Sequence, residues 1–238
     1  MTSLLSRLPA ILLLAASTLA HAAAPQVRTQ APGFYRMMLG DFEITALSDG
    51  THAFPIDSVM THIAPAQMAS DLDQAELRQP VQGSINAFLV NTGSKLILID
   101  AGAGQLYGDC CGKLVDHLRA AGYRPEQVDE ALAGPGHTPG HAMYLVSSRG
   151  QQLLVWGDIV HVSAIQLPHP QATVKYDSNE ADASATRRQL LEMAAGKHML
   201  VGAAHIAFPG LGHIAHAGAG YQWLPLNYDG APSPFSPP

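Results

Sequence analysis

Charge is the scarcest commodity in this chain of 238 residues: Asp, Glu, Lys and Arg make up 13 % of it, against about 25 % in an ordinary soluble domain. Thirteen Lys and Arg face nineteen Asp and Glu, for a net charge of −6, and no run of basic residues occurs anywhere. Without a basic stripe there is nothing to track a phosphate backbone and nothing to hold an anionic membrane surface, so nucleic acid and membrane surfaces are excluded as partners. Cysteine is scarce too. The two present, Cys110 and Cys111, are neighbours. Their Cα atoms stand about 3.8 Å apart, below the usual disulfide span of about 4.4–6.8 Å, so they define no disulfide framework and are read as two thiols at a helix start; the alternative is a strained vicinal disulfide. A hydrophobic run of about 20 residues, long enough to span a bilayer, is also missing.

What the chain has is apolar substance. Hydrophobic residues reach 47 %, enough to fill a core and to exclude disorder over most of the length. Met1 to Arg7 is a short positive segment, Leu8 to Ala20 an apolar run, and Ala20-His21-Ala22 a small-x-small cleavage pattern. Residues 1–22 therefore read as a signal peptide, which implies a periplasmic or secreted protein and no membrane attachment after cleavage; the alternative is an uncleaved anchor. Residues 23–230 read as one domain. The Pro/Ser-rich stretch 231–238 reads as a disordered tail.

Period-two apolar patterning predicts a hairpin of Tyr35 to Leu39 and Phe42 to Leu47, turning at Gly40-Asp41. Further strands are expected over Ile85 to Val90, Lys95 to Ile99, Val128 to Ala133, Ala142 to Ser147, Gln152 to Trp156, His198 to Ala204 and Gln222 to Asn227. Helical periodicity predicts helices around Ala66 to Leu77, from Lys113 to Ala121 with Gly122 as its stop, and from Ser178 to Ala195 with an acidic first turn. Residues 48–83 otherwise read as loop. Alternating strands and helices with hairpins at both ends predict an α/β (α+β) architecture of sheets covered by helices.

Three polar residues stand at strand ends, where loops on a rigid scaffold carry chemistry. In Gly136-His137-Thr138-Pro139-Gly140-His141 the Pro-Gly pair forbids a helix, so the segment is a turn that aims a histidine. Asp158 follows the strand ending at Trp156, and His205 follows Ala204. Each alone is more often structural. Together two imidazoles and a carboxylate with an open position form a catalytic zinc set. The other histidines, among them His52, His62, His117, His169 and His198, show no partner at a telling spacing.

The order Asp100-Ala101-Gly102, the Gly136 to His141 turn, Gly157-Asp158 and His205 resembles that of the metallo-β-lactamase-fold hydrolases. Within them it is similar to the methyl parathion hydrolase family and its exported relatives, through Ala24 to Arg28, Tyr35 to Gly50, Val90 to Ile99, Ala121 to Glu130, Gly136 to His141 and Phe208 to Ile214. The resemblance implies a four-layer αβ/βα sandwich and a two-metal site, zinc or another divalent transition metal. There a metal-bound hydroxide would attack a small phosphotriester, ester or lactone. It places His137 as a ligand of one metal, His205 as a ligand of the other and the catalytic Asp158 between them. Asp100, His141 and His213 would lie around the ligands, and Tyr107 would line the substrate pocket.

One departure is plain. The string H-x-H-x-D-H, which supplies four ligands in that family, does not occur in the chain. It is expected after the strand Val128 to Ala133, where the chain runs directly into the Gly136 turn, so the domain reads as internally shortened. Two side chains would remain for each metal, below the usual three. One metal or none is therefore expected, with His161 at the pocket able to assist His137, Asp158 and His205. Apolar surface uncovered by the shortening would favour a homodimer. Three functions stay open: a metal-dependent hydrolase, an inactive remnant of one, and a non-catalytic metal-binding protein.

Overall fold

The computed structural model describes residue 24 and residues 26–132 and 142–230. The expected signal peptide, the turn holding His137 and His141, and the C-terminal tail lie outside the described residues. The chain divides into a unit up to Ala31, whose described residues form neither helix nor strand, and a unit from Pro32 onward. Everything below concerns the second.

Its elements in chain order are β1 (Phe34–Leu39), β2 (Phe42–Phe54), α1 (Ile56–Val59), β3 (Met60–Thr61), α2 (Pro65–Gln74), β4 (Val81–Asn91), β5 (Leu96–Ile99), α3 (Leu114–Ala120) and β6 (Glu130–Leu132). There follow β7 (Tyr144–Ser148), β8 (Gln151–Val155), α4 (Ser163–Gln166), β9 (Thr173–Val174), α5 (Glu180–Gly196), β10 (Leu200–Gly202), β11 (Leu211–Ala217) and β12 (Gly220–Pro225). Two five-stranded sheets result, in the orders β1-β2-β4-β5-β6 and β12-β11-β10-β8-β7, with β3 and β9 pairing separately.

Side-chain alternation assigns the layers. Along β4, Phe88 and Val90 point into a core shared with Ile44, Ile99, Leu153, Val155, Leu200 and Leu211, which lies between the two sheets. Their neighbours Ala87 and Leu89 point the other way, onto Leu114, Leu118 and Ala121 of and beside α3. In the second sheet Leu154 and Val201 alternate outward against Leu190, Leu191 and Ala194 of α5. A period of two on each strand thus builds three apolar interfaces from two sheets and two helices. The result is the expected sandwich, with α3 and α5 as its outer layers. Helix α5 begins where its side chains require: the Asn179 carboxamide accepts from the amides of Ala181 and Asp182 at 3.0 and 3.2 Å, and Glu180 and Asp182 sit in the positive first turn.

Two expectations are corrected. Strand β2 does not end at Leu47 but runs to Phe54, paired with β4 throughout. Ser48-Asp49-Gly50 has the composition of a turn, yet here it is a β-bulge: the register against β4 shifts between Ser48 and Gly50, and Asp49 is the extra residue. The bulge turns the buried Asp49 carboxylate onto backbone amides. Its Oδ2 accepts from Ala103 and Gly104 at 2.9 and 3.1 Å, and its Oδ1 from Leu114 at 3.0 Å. The second concerns β11, a strand absent from the expected set, where Gly and His interrupt the alternation. It forms because β10 and β12 supply partners on both sides.

Candidate metal centre

Parallel pairing places the acidic and imidazole side chains. Strand β8 lies beside β10 with Val155 opposite Gly202. Asp158 and His205 each come three residues after that pair, so both emerge beyond the same sheet edge, at the carboxyl ends of neighbouring parallel strands where open α/β sheets bind ligands. Asp158 sits in a short 3-10 turn, Gly157–Ile159, whose first residue takes φ +59°, a conformation that favours glycine. In the first sheet β5 and β6 pair in the same sense, Ile99 opposite Leu132, and Asp100 follows at once with its amide on the Leu132 carbonyl.

The two side chains meet: His205 Nε2 lies 2.9 Å from Asp158 Oδ1. On the other side of the ring, Nδ1 is 3.0 Å from the Ser84 carbonyl oxygen. A carbonyl can only accept, so Nδ1 carries a proton and Nε2 faces the carboxylate. Two acceptors cannot face each other at that distance; the gap needs a proton between them or a cation. Burial opposes the charged imidazole, but the Asp158 hydrogen bond and charge, the Ser84 carbonyl and Asp100 outweigh it and raise its pKa above the ordinary 6.5. Burial, with Asp158 adding to it, likewise raises Asp100, although the Gly102 amide at 2.8 Å opposes the shift. Asp100 holds φ at +74°, a strained value for a non-glycine residue of the kind that collects at functional sites.

His161 completes the group. Its ring stacks on that of His205, centroids 5.0 Å apart and planes 20° apart, and one ligand atom from each of Asp158, His161 and His205 lies within 4.8 Å of the others. Two imidazoles, one carboxylate and a ring nitrogen anchored on a backbone carbonyl are what a divalent transition metal requires of its protein ligands. The residues fit such an ion. The sequence suggested His161 only as an assistant; its proximity follows from the turn after Asp158.

Supporting contacts hold these residues. Asn86, fully buried on β4, donates to the carbonyls of Ala203 at 3.1 Å and Ile206 at 2.8 Å, straddling His205. Arg187 of α5, equally buried, donates from Nε to the Ile159 carbonyl at 2.6 Å and from Nη1 to the carbonyls of Pro170 and Ala172 at 3.1 and 2.7 Å. Gln166 accepts from the His161 and Val162 amides at 2.7 and 3.2 Å.

A cavity of about 420 Å3 opens beside the centre, with His161 and His205 on one wall and Leu77, Val81, Val162 and Trp223 among its apolar lining. Tyr107 does not line this cavity; it is half-exposed, its ring stacked on His52 at a centroid distance of 4.0 Å. Burial raises the Tyr107 pKa, with Tyr176, Asp158 and the two cysteines adding to it. His52, which the sequence did not single out, is therefore part of the surroundings: the Phe54 ring packs edge-on against both it and His205, with centroids 5.0 and 5.9 Å away. Only the extension of β2 past its bulge brings it there. His213 is placed elsewhere. Its Nδ1 is 3.0 Å from the Met199 carbonyl, before β10 begins, whereas His205 follows the strand's end.

No protein-family model and no curated protein matches the chain. Solved structures do. A hydrolase of the β-lactamase superfamily, AbOPH, superposes with a TM-score of 0.79 at 27 % identity, over 84 % of this chain and 100 % of that one. This is the metallo-β-lactamase fold. A second similar structure is AidC, a dizinc quorum-quenching lactonase solved with the product N-hexanoyl-L-homoserine, at TM-score 0.77 and 20 % identity over 83 % of this chain and 98 % of that one. A third, a probable metal-dependent hydrolase from Staphylococcus aureus, has TM-score 0.59 and 12 % identity over 71 % of this chain and 91 % of that one. The metallo-β-lactamase-fold neighbours are hydrolases.

The raised pKa of His205 has a consequence for the metal-free chain. Below pH 6.5 the imidazole is protonated both folded and unfolded, and its pairing with Asp158 contributes fully to stability; as pH rises through the folded value that contribution is lost. The urea midpoint of chelator-treated protein is expected to fall as pH increases above 6.5, and His205→Gln should flatten that part of the profile. Metal affinity should move the opposite way, because ligation needs the neutral imidazole.

Proposed function

We propose that the chain is an exported, metal-dependent hydrolase acting on small esters, lactones or phosphotriesters in the periplasm or outside the cell. The observation that carries this reading is the Asp158-His161-His205 group, set beyond the ends of parallel strands in a fold shared with hydrolases. One divalent transition metal held by these three residues, with His137 as a fourth candidate ligand, would acidify water and polarise a carbonyl or phosphoryl oxygen.

The chain's own residues supply the rest. Ser84 fixes the His205 tautomer, so Nε2 is the nitrogen presented to the centre. Asp158 accepts, and can hold a proton shared with that nitrogen. The apolar cavity takes a substituent of the substrate and keeps water from it, while the Tyr107 and His52 rings offer a flat wall to a second one.

Absence of the H-x-H-x-D-H string favours a second reading, an inactive member of such a lineage that holds one metal or none. Metal analysis by plasma mass spectrometry, followed by assays on a nitrophenyl ester, an acyl-homoserine lactone and a nitrophenyl phosphotriester, separates the two. One metal per chain with turnover of at least one substrate is expected. Metal without turnover, or neither after loading with zinc, cobalt and manganese, hands the chain to the second reading.

A further inference from the structure

The adjacent cysteines lie beside the centre without belonging to it. They are the chain's only two, and both are thiols. Cys110 ends a 3-10 turn, Gly108–Cys110, and is partly exposed; Cys111 is buried. Their sulfurs are 2.6 Å apart, in closer contact than two separate thiols ordinarily make. Cys110 Sγ is also 3.5 Å from the Tyr107 carbonyl, to which its S–H donates, and 4.0 Å from His52 Nδ1.

Little lets the pair separate. The Asp49 carboxylate holds Gly104 on one side of it and Leu114 on the other. The dipeptide backbone rests against Gly50, where an added Cβ would stand 2.2 Å from the Cys110 carbonyl oxygen and 2.9 Å from Cys111 Cα. A partly exposed thiol, a second thiol in contact with it and an imidazole beside it form a constellation suited to thiol–disulfide exchange.

We propose that Cys110 and Cys111 are a redox modification site, converted to a vicinal disulfide by exchange with a small-molecule or protein disulfide. His52 takes the Cys110 proton, and Cys110 Sγ attacks one sulfur of the reagent, displacing the first thiolate. Cys111 Sγ then attacks Cys110 Sγ of the mixed disulfide and displaces the second thiolate, and the two departing thiolates take up the His52 and Cys111 protons. The cysteine pair loses two electrons and two protons, and the reagent leaves as two thiols. Burial of His52, with His205 nearby, lowers its pKa and keeps it a neutral acceptor. Burial and the neighbouring Cys110 push the Cys111 thiol up to about 12. Once Cys110 is capped by the reagent, its charge no longer opposes the second deprotonation. The product ties the turn that carries Tyr107 and removes the S–H from its carbonyl, so the wall of the candidate centre changes with the redox state. The chemistry stands whether or not that centre is catalytic.

Glutathione disulfide is the probe. The full chain, incubated with it in excess, should lose both titratable thiols, stay monomeric on a non-reducing gel and show an intact mass lower by two hydrogens. Dithiothreitol should restore both thiols. Cys111→Ser should stop at one glutathione adduct, on Cys110. Stable adducts on the unsubstituted chain, a disulfide-linked dimer, or two thiols left untouched would each overturn the proposal. His52→Gln should slow the first step about tenfold near neutral pH, since the thiolate is the nucleophile; an unchanged rate overturns the assignment of the base.

Discussion

Replacing His205 with alanine is expected to remove both the metal and the turnover, by more than about a hundredfold, since even partners behind the ligands cost about 10–100-fold when lost. The imidazole joins the backbone of β4, through Ser84, to Asp158 on the opposite sheet. Without it, Asp158 and His161 would be left from the group, fewer than the three protein ligands a catalytic zinc ordinarily has. Metal content by plasma mass spectrometry and hydrolysis by spectrophotometry should fall together, with far-ultraviolet circular dichroism unchanged. If metal and rate both survive in the folded variant, the centre lies elsewhere and the proposed function fails with it.

Arg187→Met carries the second large effect. The guanidinium is enclosed, donates to three carbonyl oxygens and lies 3.9 Å from the buried Asp177 carboxylate. Removing one partner of a buried pair costs about 3–5 kcal/mol, because the charge left behind cannot be solvated. At about 2–4 °C per kcal/mol for a domain of this size, the thermal midpoint should drop by roughly 6–20 °C. One of the three carbonyls belongs to Ile159, directly after Asp158, so metal affinity measured below the new midpoint should weaken as well. A drop in stability with unaltered affinity would make Arg187 a packing residue alone. Arg187→Lys is expected to fall between, since an ammonium cannot reproduce the planar fork that spans Ile159, Pro170 and Ala172.

Much of the framework was legible in local pattern. Strands β1, β5, β7, β8 and helices α2, α3 and α5 stand where periodicity places them, within a few residues at each end, and β2 and β4 begin or end where expected on one side and run longer on the other. Asn179 with Glu180 and Asp182 marks a helix start whatever surrounds it, because the unsatisfied amides of a first turn are a local need. Asp158 and His205 could also be picked out, as polar residues at the ends of apolar strands.

What the sequence by itself determined, then, is the set of elements, their inward and outward faces, and two members of the candidate centre. Tertiary structure decided the rest. Ser48-Asp49-Gly50 became a bulge rather than a turn because β4 offers partners on both sides of it. Only that bulge carries His52 towards the centre and aims Asp49 at the loop bearing Tyr107 and the cysteines. Strand β11 exists because β10 and β12 flank it, and its own alternation is too interrupted to announce it. Parallel register between β8 and β10 brought Asp158 to His205, far apart in sequence, and α5 reached back with Arg187 to hold the turn after Asp158. Each of these depends on a partner far away in sequence, and hydrogen-bond partners of that kind leave no local period to read.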